Sequence, residues 1–142
     1  EEGASVVAGG PGKPDGLATG YYVKPTVLAN ASNDKTVARE EIFGPVLVMI
    51  GYDTVDEAVQ IANDTPYGLA AYVSGTDVDA TRKVAARLRA GQVNINSSAP
   101  DFMAPFGGYK QSGNGREWRD HAFAEFLEVK AMLGFAPKPA AN

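Results

Sequence analysis

The sequence predicts an α/β fold, with a parallel sheet of βαβ units. Residues 46–50, 69–73 and 92–96 are short apolar segments, and two stretches with helical periodicity separate them. Continuously apolar strands are typical of sheets that are covered on both faces. Successive strand–helix–strand units give parallel strands that are joined by right-handed crossovers. The 142 residues, 44% of them hydrophobic, also have the length and composition of about one globular domain.

The first forty residues are rich in turns, with short elements between them. Residues 5–8 form a brief apolar run that two glycines end. Residues 21–28 favour a strand, but Pro25 lacks a backbone donor and therefore predicts an edge or irregular strand. Asp34 is predicted to cap the one or two helical turns that follow it.

Both helices between the apolar strands have start signals. Thr54 and Glu57 form a capping-box pattern, and Asp77 can cap the second helix. Gly91 is expected to end the second helix. Each helix has one apolar face, because its apolar residues recur at helical spacing. The faces comprise Val55, Ala58, Val59 and Ala62 in the first helix and Thr81, Val84, Ala85 and Leu88 in the second.

The last third of the chain begins with a long loop over residues 97–117. A third helix is predicted at about 116–125. A half-exposed strand is predicted at 126–133, where apolar and charged residues alternate. Residues 136–142 contain two prolines and are predicted to be a flexible tail.

Four glycines at positions 107, 108, 113 and 115 could let backbone amides approach a phosphate. Two departures argue against this interpretation. Trp118 stands where a dinucleotide fingerprint needs Gly or Ala, and Lys110 is followed by Gln instead of the Ser or Thr of a P-loop. We therefore favour a tight irregular loop beneath a site or interface over direct phosphate binding.

The segment EIFGP at 41–45 places a charged residue and an aromatic residue just before the strand 46–50. Ligands of parallel sheets gather at the carboxyl ends of strands, whereas this segment precedes one. Taken by itself, the segment therefore favours a surface Glu41 and a core Phe43 over a binding site.

Five segments resemble the aldehyde dehydrogenase superfamily, in the order and at the spacing of that family. They are TGYYVKPTV (19–27), AREEIFGP (38–45), NDTPYGLAA (63–71), GQVNIN (91–96) and PFGGYKQSGNGRE (105–117). Together they span nearly the whole chain, so the resemblance is specific. It implies a truncated, Rossmann-like catalytic domain. Residues 1–125 would be its C-terminal part, followed by an oligomerisation strand at 126–135 and the tail at 136–142.

The resemblance also implies a role in binding NAD or NADP. In similar enzymes, the glutamate that matches Glu41 hydrogen-bonds hydroxyls of the nicotinamide ribose. The phenylalanine that matches Phe43 lies against the nicotinamide ring. Both roles are chemically reasonable, because a carboxylate is a bidentate acceptor for paired hydroxyls and an aromatic face can position a flat ring.

A second implied site is the aldehyde pocket. The aromatic residue that matches Phe106 lines this pocket in similar enzymes. The preceding loop would form another wall, and here it offers Pro100, Asp101 and Phe102. This segment varies among such enzymes, so the resemblance does not identify the aldehyde.

The chain contains no cysteine, although the chemistry of the family requires a cysteine thiolate. In the family, the cysteine, the general-base glutamate, the oxyanion-hole asparagine and the glycine-rich dinucleotide fold all lie upstream. The implied parent enzyme oxidises an aldehyde to a carboxylic acid through a thiohemiacetal and a thioester. This polypeptide alone is expected to be inactive, and we assign it no catalytic residue. The alternative is a free-standing α/β interaction module without catalysis.

Composition argues against several other functions. A formal charge of −4 without a basic stripe argues against nucleic-acid binding. A single histidine, His121, leaves no cluster for a metal, and no apolar run approaches the roughly 18 residues of a membrane span. We expect a homo-oligomer that forms through strand 126–133. Because no targeting segment is recognised, we also expect a cytoplasmic location.

Overall fold

The computed structural model describes residues 2–134, and the elements below are those of this range. The strands are β1 (Ser5–Ala8), β2 (Thr26–Ala29), β3 (Val46–Val48), β4 (Ala70–Val73) and β5 (Gln92–Ile95). The α-helices are α1 (Thr36–Arg39), α2 (Val55–Asn63) and α3 (Val78–Ala85). Three 3₁₀ turns follow, at Lys110–Ser112, Arg119–His121 and Ala124–Phe126.

The strands form two small sheets, and the predicted α/β class with parallel pairing is confirmed. In one sheet, β2 pairs antiparallel with β1 and parallel with β3. In the other, β4 pairs parallel with β5, and α3 connects them as a βαβ unit. Within the described residues, β3 and β4 belong to different sheets, so the first of the two predicted units does not close.

Residues 21–28 were predicted to form an edge or irregular strand, and the edge alternative is wrong. The strand begins at Thr26, one residue after the proline, and lies between β1 and β3. Pro25 therefore stands just outside the ladder, where its lack of an N–H has no effect on strand pairing. The first N–H of the strand, that of Thr26, donates to the carbonyl of Pro45 at 2.9 Å.

Helix α1 is short, and Asp34 does not cap it. The Asp34 carboxylate accepts a hydrogen bond from the Ser32 hydroxyl instead. The N–H and hydroxyl of Thr36 donate to the Glu2 carboxylate at 2.7 and 2.6 Å. These bonds stabilise the charged carboxylate and lower the pKa of Glu2. This contact is therefore complete above the ordinary pKa of Glu2 and is lost as the pH falls through the lowered value.

Helices α2 and α3 begin where their capping signals predict. The Thr54 hydroxyl accepts from the N–H of Glu57 at 3.2 Å, and the Glu57 carboxylate accepts from the N–H of Asp53 at 2.7 Å. The Asp77 carboxylate accepts from the N–H of Ala80 at 3.0 Å. The predicted face of α3 is confirmed, since Thr81 is buried and its three partners are half-buried. On α2 the inner part of the face is covered, and Val55 and Ala62 are exposed.

Gly91 does not cap α3. The helix ends at Ala85, six residues earlier, and Gly91 has no positive φ angle. Its N–H donates to the carbonyl of Gly68 at 3.0 Å, and a Cβ atom at this position would overlap the carbonyl oxygen of Gly107. Glycine is therefore required here by close backbone packing and not by helix termination.

The prediction of a third helix at about 116–125 is also wrong. Two short 3₁₀ turns stand there instead. The helix cannot form because Trp118 and Arg119 have φ angles of 73° and 49°, outside the right-handed helical region. The preceding Glu117 is held in backbone pairing with Phe106.

The strand at 126–133 has no pairing partner within the described residues. Phe126 ends a 3₁₀ turn, and residues 127–134 have no regular structure. Its apolar side chains are largely exposed, and Val129 is 99% exposed. An isolated extended segment has no ladder to stabilise it, so the strand remains a prediction that requires a partner. The predicted tail at 136–142 lies outside the described residues.

The strands are not covered on both faces as the sequence predicts. Leu47 of β3 is 58% exposed, whereas its neighbours Val46 and Val48 are half-buried. The buried side chains among residues 2–134 are those of Ala31, Val59 and Thr81, and each of them keeps 5–8% of its surface exposed. Apolar packing therefore contributes little within this chain, and polar contacts become correspondingly important.

The C-terminal end of α2 is the centre of these polar contacts. The Lys110 ammonium donates to the carbonyls of Asn63 and Thr65 at 2.7 and 2.9 Å. The Asn63 side chain donates to the carbonyl of Arg87 at 2.9 Å and accepts from the N–H of Arg89 at 2.7 Å. A cation at helix C-terminal carbonyls satisfies unpaired acceptors and complements the helix dipole. These bonds attach the end of α2 to the segment that follows α3 and to the loop around Lys110.

Lys110→Met removes both hydrogen bonds while it keeps most of the apolar stem. We expect the free energy of unfolding to fall by about 1.5–3 kcal/mol, the usual contribution of hydrogen bonds to a charged group. Urea denaturation of the chain measures it. Lys83→Met, on the exposed side of α3, is the matched control and should change the free energy by less than about 0.5 kcal/mol. Equal midpoints for the two variants would contradict the role of Lys110.

Candidate functional site

Glu41 lies in the segment that joins α1 to β3. Its side chain is exposed and lines a cavity of about 270 Å³. The end of α2, the residues that lead into β4, and Ser112 form the other walls. Among the described residues, the side-chain hydrogen bonds and ion pairs do not engage the Glu41 carboxylate. Both of its oxygens are therefore available to accept hydrogen bonds from a ligand.

Phe43 combines an exposed side chain with a backbone conformation that is unusual for a bulky residue. Its side chain is 93% exposed, and its backbone has a φ angle of 55°. The left-handed region is uncommon for a bulky residue, and exposure of a whole phenyl ring gains nothing from packing. The prediction of a core phenylalanine, drawn from the segment alone, is wrong. The ring packs little against the rest of the described structure.

Glu41 and Phe43 face different surfaces of the described structure. Phe43 lines an apolar groove of about 560 Å³ between the β1–β2 pair and the start of β3, not the cavity of Glu41. The structure thus brings the two predicted cofactor residues into one exposed segment without placing them in one cavity. The two side chains can contact different parts of a large ligand, such as a sugar and an adjoining ring.

Phe106 is fixed at the base of the glycine-rich loop. Its N–H donates to the carbonyl of Glu117 at 3.0 Å, and the N–H of Glu117 donates back at 2.7 Å. The half-buried ring lines a second cavity of about 630 Å³. The apolar walls of this cavity also include Leu69, Trp118 and Phe126.

Both cations of the loop between Phe106 and Glu117 donate hydrogen bonds to main-chain carbonyls of this chain. The Arg116 guanidinium donates to the carbonyls of Gly108 and Gly115 at 2.9 and 2.7 Å. It also lies 5.3 Å from the centroid of the Tyr109 ring, within range of a cation–π contact. Lys110 is engaged by α2, as described above. Both cations of the loop are therefore engaged by main-chain carbonyls, which agrees with the interpretation that favoured a tight irregular loop over a phosphate site.

The predicted loop wall of the aldehyde pocket is only partly brought to Phe106. Phe102 contacts the Trp118 ring, whose other contact is Phe106. Pro100, Asp101 and Phe102 are all exposed, and none of the three lines the cavity of Phe106, so Phe102 is linked to that cavity only through Trp118. The Asp101 carboxylate accepts from the N–H of Met103 at 2.9 Å, so one of its oxygens shapes the turn.

Trp118 is the residue that the sequence reasoning did not assign to a site. The sequence places it on a helix face, whereas the structure stacks its ring on Phe106, with centroids 4.8 Å apart and planes at 23°. A second contact, at 5.0 Å and 52°, joins it to Phe102. The sequence held no local signal for this contact, because it depends on the backbone pairing of residue 117 with residue 106, which only the structure shows.

The part of the chain that the structure describes has neither a metal-binding cluster nor a membrane-spanning helix. No three or more His, Cys, Asp or Glu side chains in residues 2–134 are grouped so that they could hold a metal ion. His121 is exposed, in a 3₁₀ turn. Within the same range, no helix has the length and hydrophobicity that crossing a membrane requires.

Comparison with known proteins identifies the family. The model of the aldehyde dehydrogenase family matches residues 1–132. Proteins of Staphylococcus haemolyticus and Staphylococcus aureus that are named as aldehyde dehydrogenases are 56% identical over 135 residues. These residues make up 95% of this chain and 28% of each relative, so the chain spans just over a quarter of their length.

Solved structures agree in fold as well as in sequence. Aldehyde dehydrogenase C of Pseudomonas syringae is a cysteine-to-alanine mutant in complex with NAD+ and octanal. It matches with a TM-score of 0.92 and 57% identity over 97% of this chain and 28% of that chain. The Mycobacterium tuberculosis aldehyde dehydrogenase in complex with NAD+ matches with a TM-score of 0.86 and 46% identity over 96% of this chain and 29% of that chain.

The solved aldehyde dehydrogenases share the fold of this chain over nearly its whole length. This fold includes the exposed EIFGP segment and the PFGGYKQSGNGRE loop. With the match of the family model over residues 1–132, these features show that the chain belongs to the aldehyde dehydrogenase family.

Proposed function

We propose that this chain is the C-terminal part of the catalytic region of an NAD(P)-dependent aldehyde dehydrogenase. The parent enzyme oxidises an aldehyde to the carboxylic acid. The observation that carries this proposal is the segment 41–45, because among the described residues no side-chain hydrogen bond or ion pair engages the Glu41 carboxylate and the Phe43 ring is 93% exposed. Their identity and order agree with the cofactor-binding motif that the family resemblance implies.

Glu41 and Phe43 fit the cofactor chemically. A carboxylate with both oxygens available can accept from two adjacent ribose hydroxyls, and charge-assisted hydrogen bonds of this kind are strong. An exposed phenyl ring can support one face of a flat heterocycle. When bound, NAD(P)+ accepts the hydride of the oxidation. In this proposal, Glu41 and Phe43 orient the cofactor and move no proton.

Phe106 and Phe102 form the aldehyde side of the proposed site. Their rings exclude water and give the pocket an apolar wall, which favours aldehydes with hydrocarbon side chains. The related P. syringae enzyme was solved with octanal, which supports this substrate class. Pro100 and Asp101 would border the wall at its exposed rim.

The choice between NAD and NADP is left open by this chain. The two solved relatives described above are complexes with NAD+, which supports NAD for the parent enzyme. The residue that discriminates the ribose 2′-phosphate belongs to the dinucleotide-binding region, for which this sequence has no glycine fingerprint. A cytoplasmic location, expected from the sequence, likewise remains part of the proposal.

The segment 126–133 supplies the proposed contact between subunits. Its exposed apolar row, Leu127, Val129 and Leu133, alternates with Glu128 and Lys130. An extended segment with one apolar face gains both backbone pairing and apolar burial when it joins the sheet of a neighbouring subunit. The parent enzyme is therefore proposed to be a homo-oligomer.

The first prediction concerns Glu41. In the full-length enzyme, Glu41→Gln should lower kcat/KM for the cofactor by roughly 10- to 150-fold, since a charge-assisted hydrogen bond contributes about 1.5–3 kcal/mol. Steady-state kinetics with varied NAD(P)+ measures this loss. Glu40→Gln is the matched control, because Glu40 is the adjacent exposed carboxylate at the end of α1. Equal kcat/KM values for the cofactor in the two variants would show that the assignment of Glu41 is wrong.

The second prediction concerns the chain by itself. Purified, mass-verified chain of residues 1–142 should oxidise no aldehyde with either cofactor, because it contains no thiol to attack the carbonyl carbon. The measurement is absorbance of reduced cofactor at 340 nm, against a buffer blank and a full-length enzyme as positive control. Turnover above the blank would refute the requirement for a cysteine outside this chain.

The third prediction concerns association. The isolated chain should self-associate, and Val129→Gln should weaken association because it interrupts the exposed apolar row. Lys130→Gln, on the alternate face, is the matched control and should leave the association unchanged. Light scattering at a series of concentrations measures the mass of each variant. A sharp monomer peak for the unmodified chain at every concentration would contradict this proposal.

A further inference from the structure

Trp118 connects the two aromatic side chains of the proposed aldehyde pocket. Its ring stacks on Phe106 at 4.8 Å and contacts Phe102 at 5.0 Å. Phe102 belongs to the loop after β5, whereas Phe106 lies at the base of the glycine-rich loop. The indole is the common neighbour of both rings, and each contact has the geometry of a favourable aromatic pair.

The backbone holds this indole in place at a cost. Trp118 has φ 73° and ψ 139°, a combination that a residue with a bulky side chain rarely adopts. Arg119, which follows, also has a positive φ of 49°. The paired backbones of Phe106 and Glu117 fix the chain immediately before the strained residue. Strain of this kind persists where the surrounding structure requires it, and such places cluster at functional sites.

Neither phenyl ring is fixed by the core of the chain alone. Phe102 is 68% exposed, and Phe106 is half-buried. Trp118 is half-buried between them. Without the indole, Phe102 would lose its aromatic partner in the described structure, and Phe106 would lose the ring stacked on its face. The position of Trp118 therefore determines the position of the apolar wall.

We propose that Trp118 is a positioning residue that sets the preference of the parent enzyme for aldehydes with long, neutral, apolar side chains. This inference rests on the proposed function, because it assumes that Phe102 and Phe106 line the aldehyde pocket. Trp118 acts by holding their rings as one continuous wall. It takes no part in the chemical step.

The chemistry of the adjacent cavity points to this substrate class. Besides the aromatic residues, its lining includes the two acidic residues Glu117 and Glu125 and one basic residue, Arg116. The guanidinium already donates to two loop carbonyls, which leaves it less able to attract an anionic substrate. An aldehyde whose far end carries a carboxylate would meet two like charges, whereas a hydrocarbon chain would gain apolar burial with each methylene.

The test uses the full-length enzyme with straight-chain aldehydes from propanal to decanal. For unmodified enzyme, kcat/KM should rise roughly two- to fourfold with each methylene over part of this series, as expected for apolar burial. Trp118→Ala should flatten this rise and lower kcat/KM for octanal at least about tenfold, while propanal changes less than about threefold. The KM for NAD(P)+ should not change. Trp118→Phe, which retains a ring, should restore most of the dependence on chain length.

Tyr21→Ala is the control for loss of an aromatic side chain, since Tyr21 is fully exposed in the described structure. It should keep the unmodified profile. Equal losses for propanal and octanal in both Trp118→Ala and Trp118→Phe would overturn the inference, and so would an unchanged profile in Trp118→Ala. If Trp118→Ala does not fold, Trp118→Leu decides, because it keeps apolar volume without an aromatic ring. An unchanged chain-length profile in Trp118→Leu, with unchanged thermal stability, overturns the inference. An unmodified full-length enzyme that oxidises none of the aldehydes would instead refute the proposed function, and this inference with it.

Discussion

Close backbone contact between the glycine-rich loop and the strands beside it is the constraint on which the rest of the structure depends. The Gly68 carbonyl accepts from both the Gly91 N–H at 3.0 Å and the Tyr109 N–H at 2.8 Å. The Gly68 N–H donates to the Ser112 hydroxyl at 3.0 Å. A Cβ atom at Gly68 would lie 2.6 Å from the carbonyl oxygen of Arg89, so this packing has no room for a side chain. Three segments that are distant in sequence are thereby joined through their main chains.

Both parts of the candidate site follow from this contact. The loop that packs against Gly68 carries Phe106 at its start and Trp118 just after its end, so the aromatic wall is anchored to the β4–β5 pair. The cavity of Glu41 is lined by Gly68 and Ser112, the same residues that make the contact. Lys110 adds a charged clamp from this loop to the end of α2. In a chain with few buried apolar side chains, these polar and backbone contacts set the positions of the functional groups.

The sequence predicted the features whose causes are local. The caps at Thr54 and Asp77 were correct because each acts on an N–H three residues away. Asp34 does not cap α1, because the N–H of Thr36, at the start of this helix, donates to Glu2, which lies 34 residues earlier. Gly91 was predicted to cap α3 from its position after the helical pattern. The structure requires glycine there for another reason, since the carbonyl of Gly107, in a remote segment, leaves no room for a Cβ atom. Local patterns cannot reveal contacts between remote segments, and the strand predicted at 126–133 has no pairing partner within the described residues.

The same limit applies to the candidate site. Glu41 and Phe43 were recognised only through the family resemblance, since their segment by itself favoured a surface residue and a core residue. Trp118 was placed on a helix because it falls within the helix predicted at about 116–125, which the positive φ angles of Trp118 and Arg119 exclude. Phe102 and Phe106 were both predicted for one pocket, and the structure adds the indole that joins them.

We propose that this chain contributes cofactor-orienting groups to a larger enzyme, and a crystal structure of the full-length protein with bound NAD(P)+ would test this. We expect the Glu41 carboxylate oxygens to lie within about 2.6–3.2 Å of the nicotinamide ribose hydroxyls, with the Phe43 ring against the nicotinamide. A bound cofactor whose ribose has no contact with Glu41, with that carboxylate turned to solvent or paired with another protein group, would contradict it.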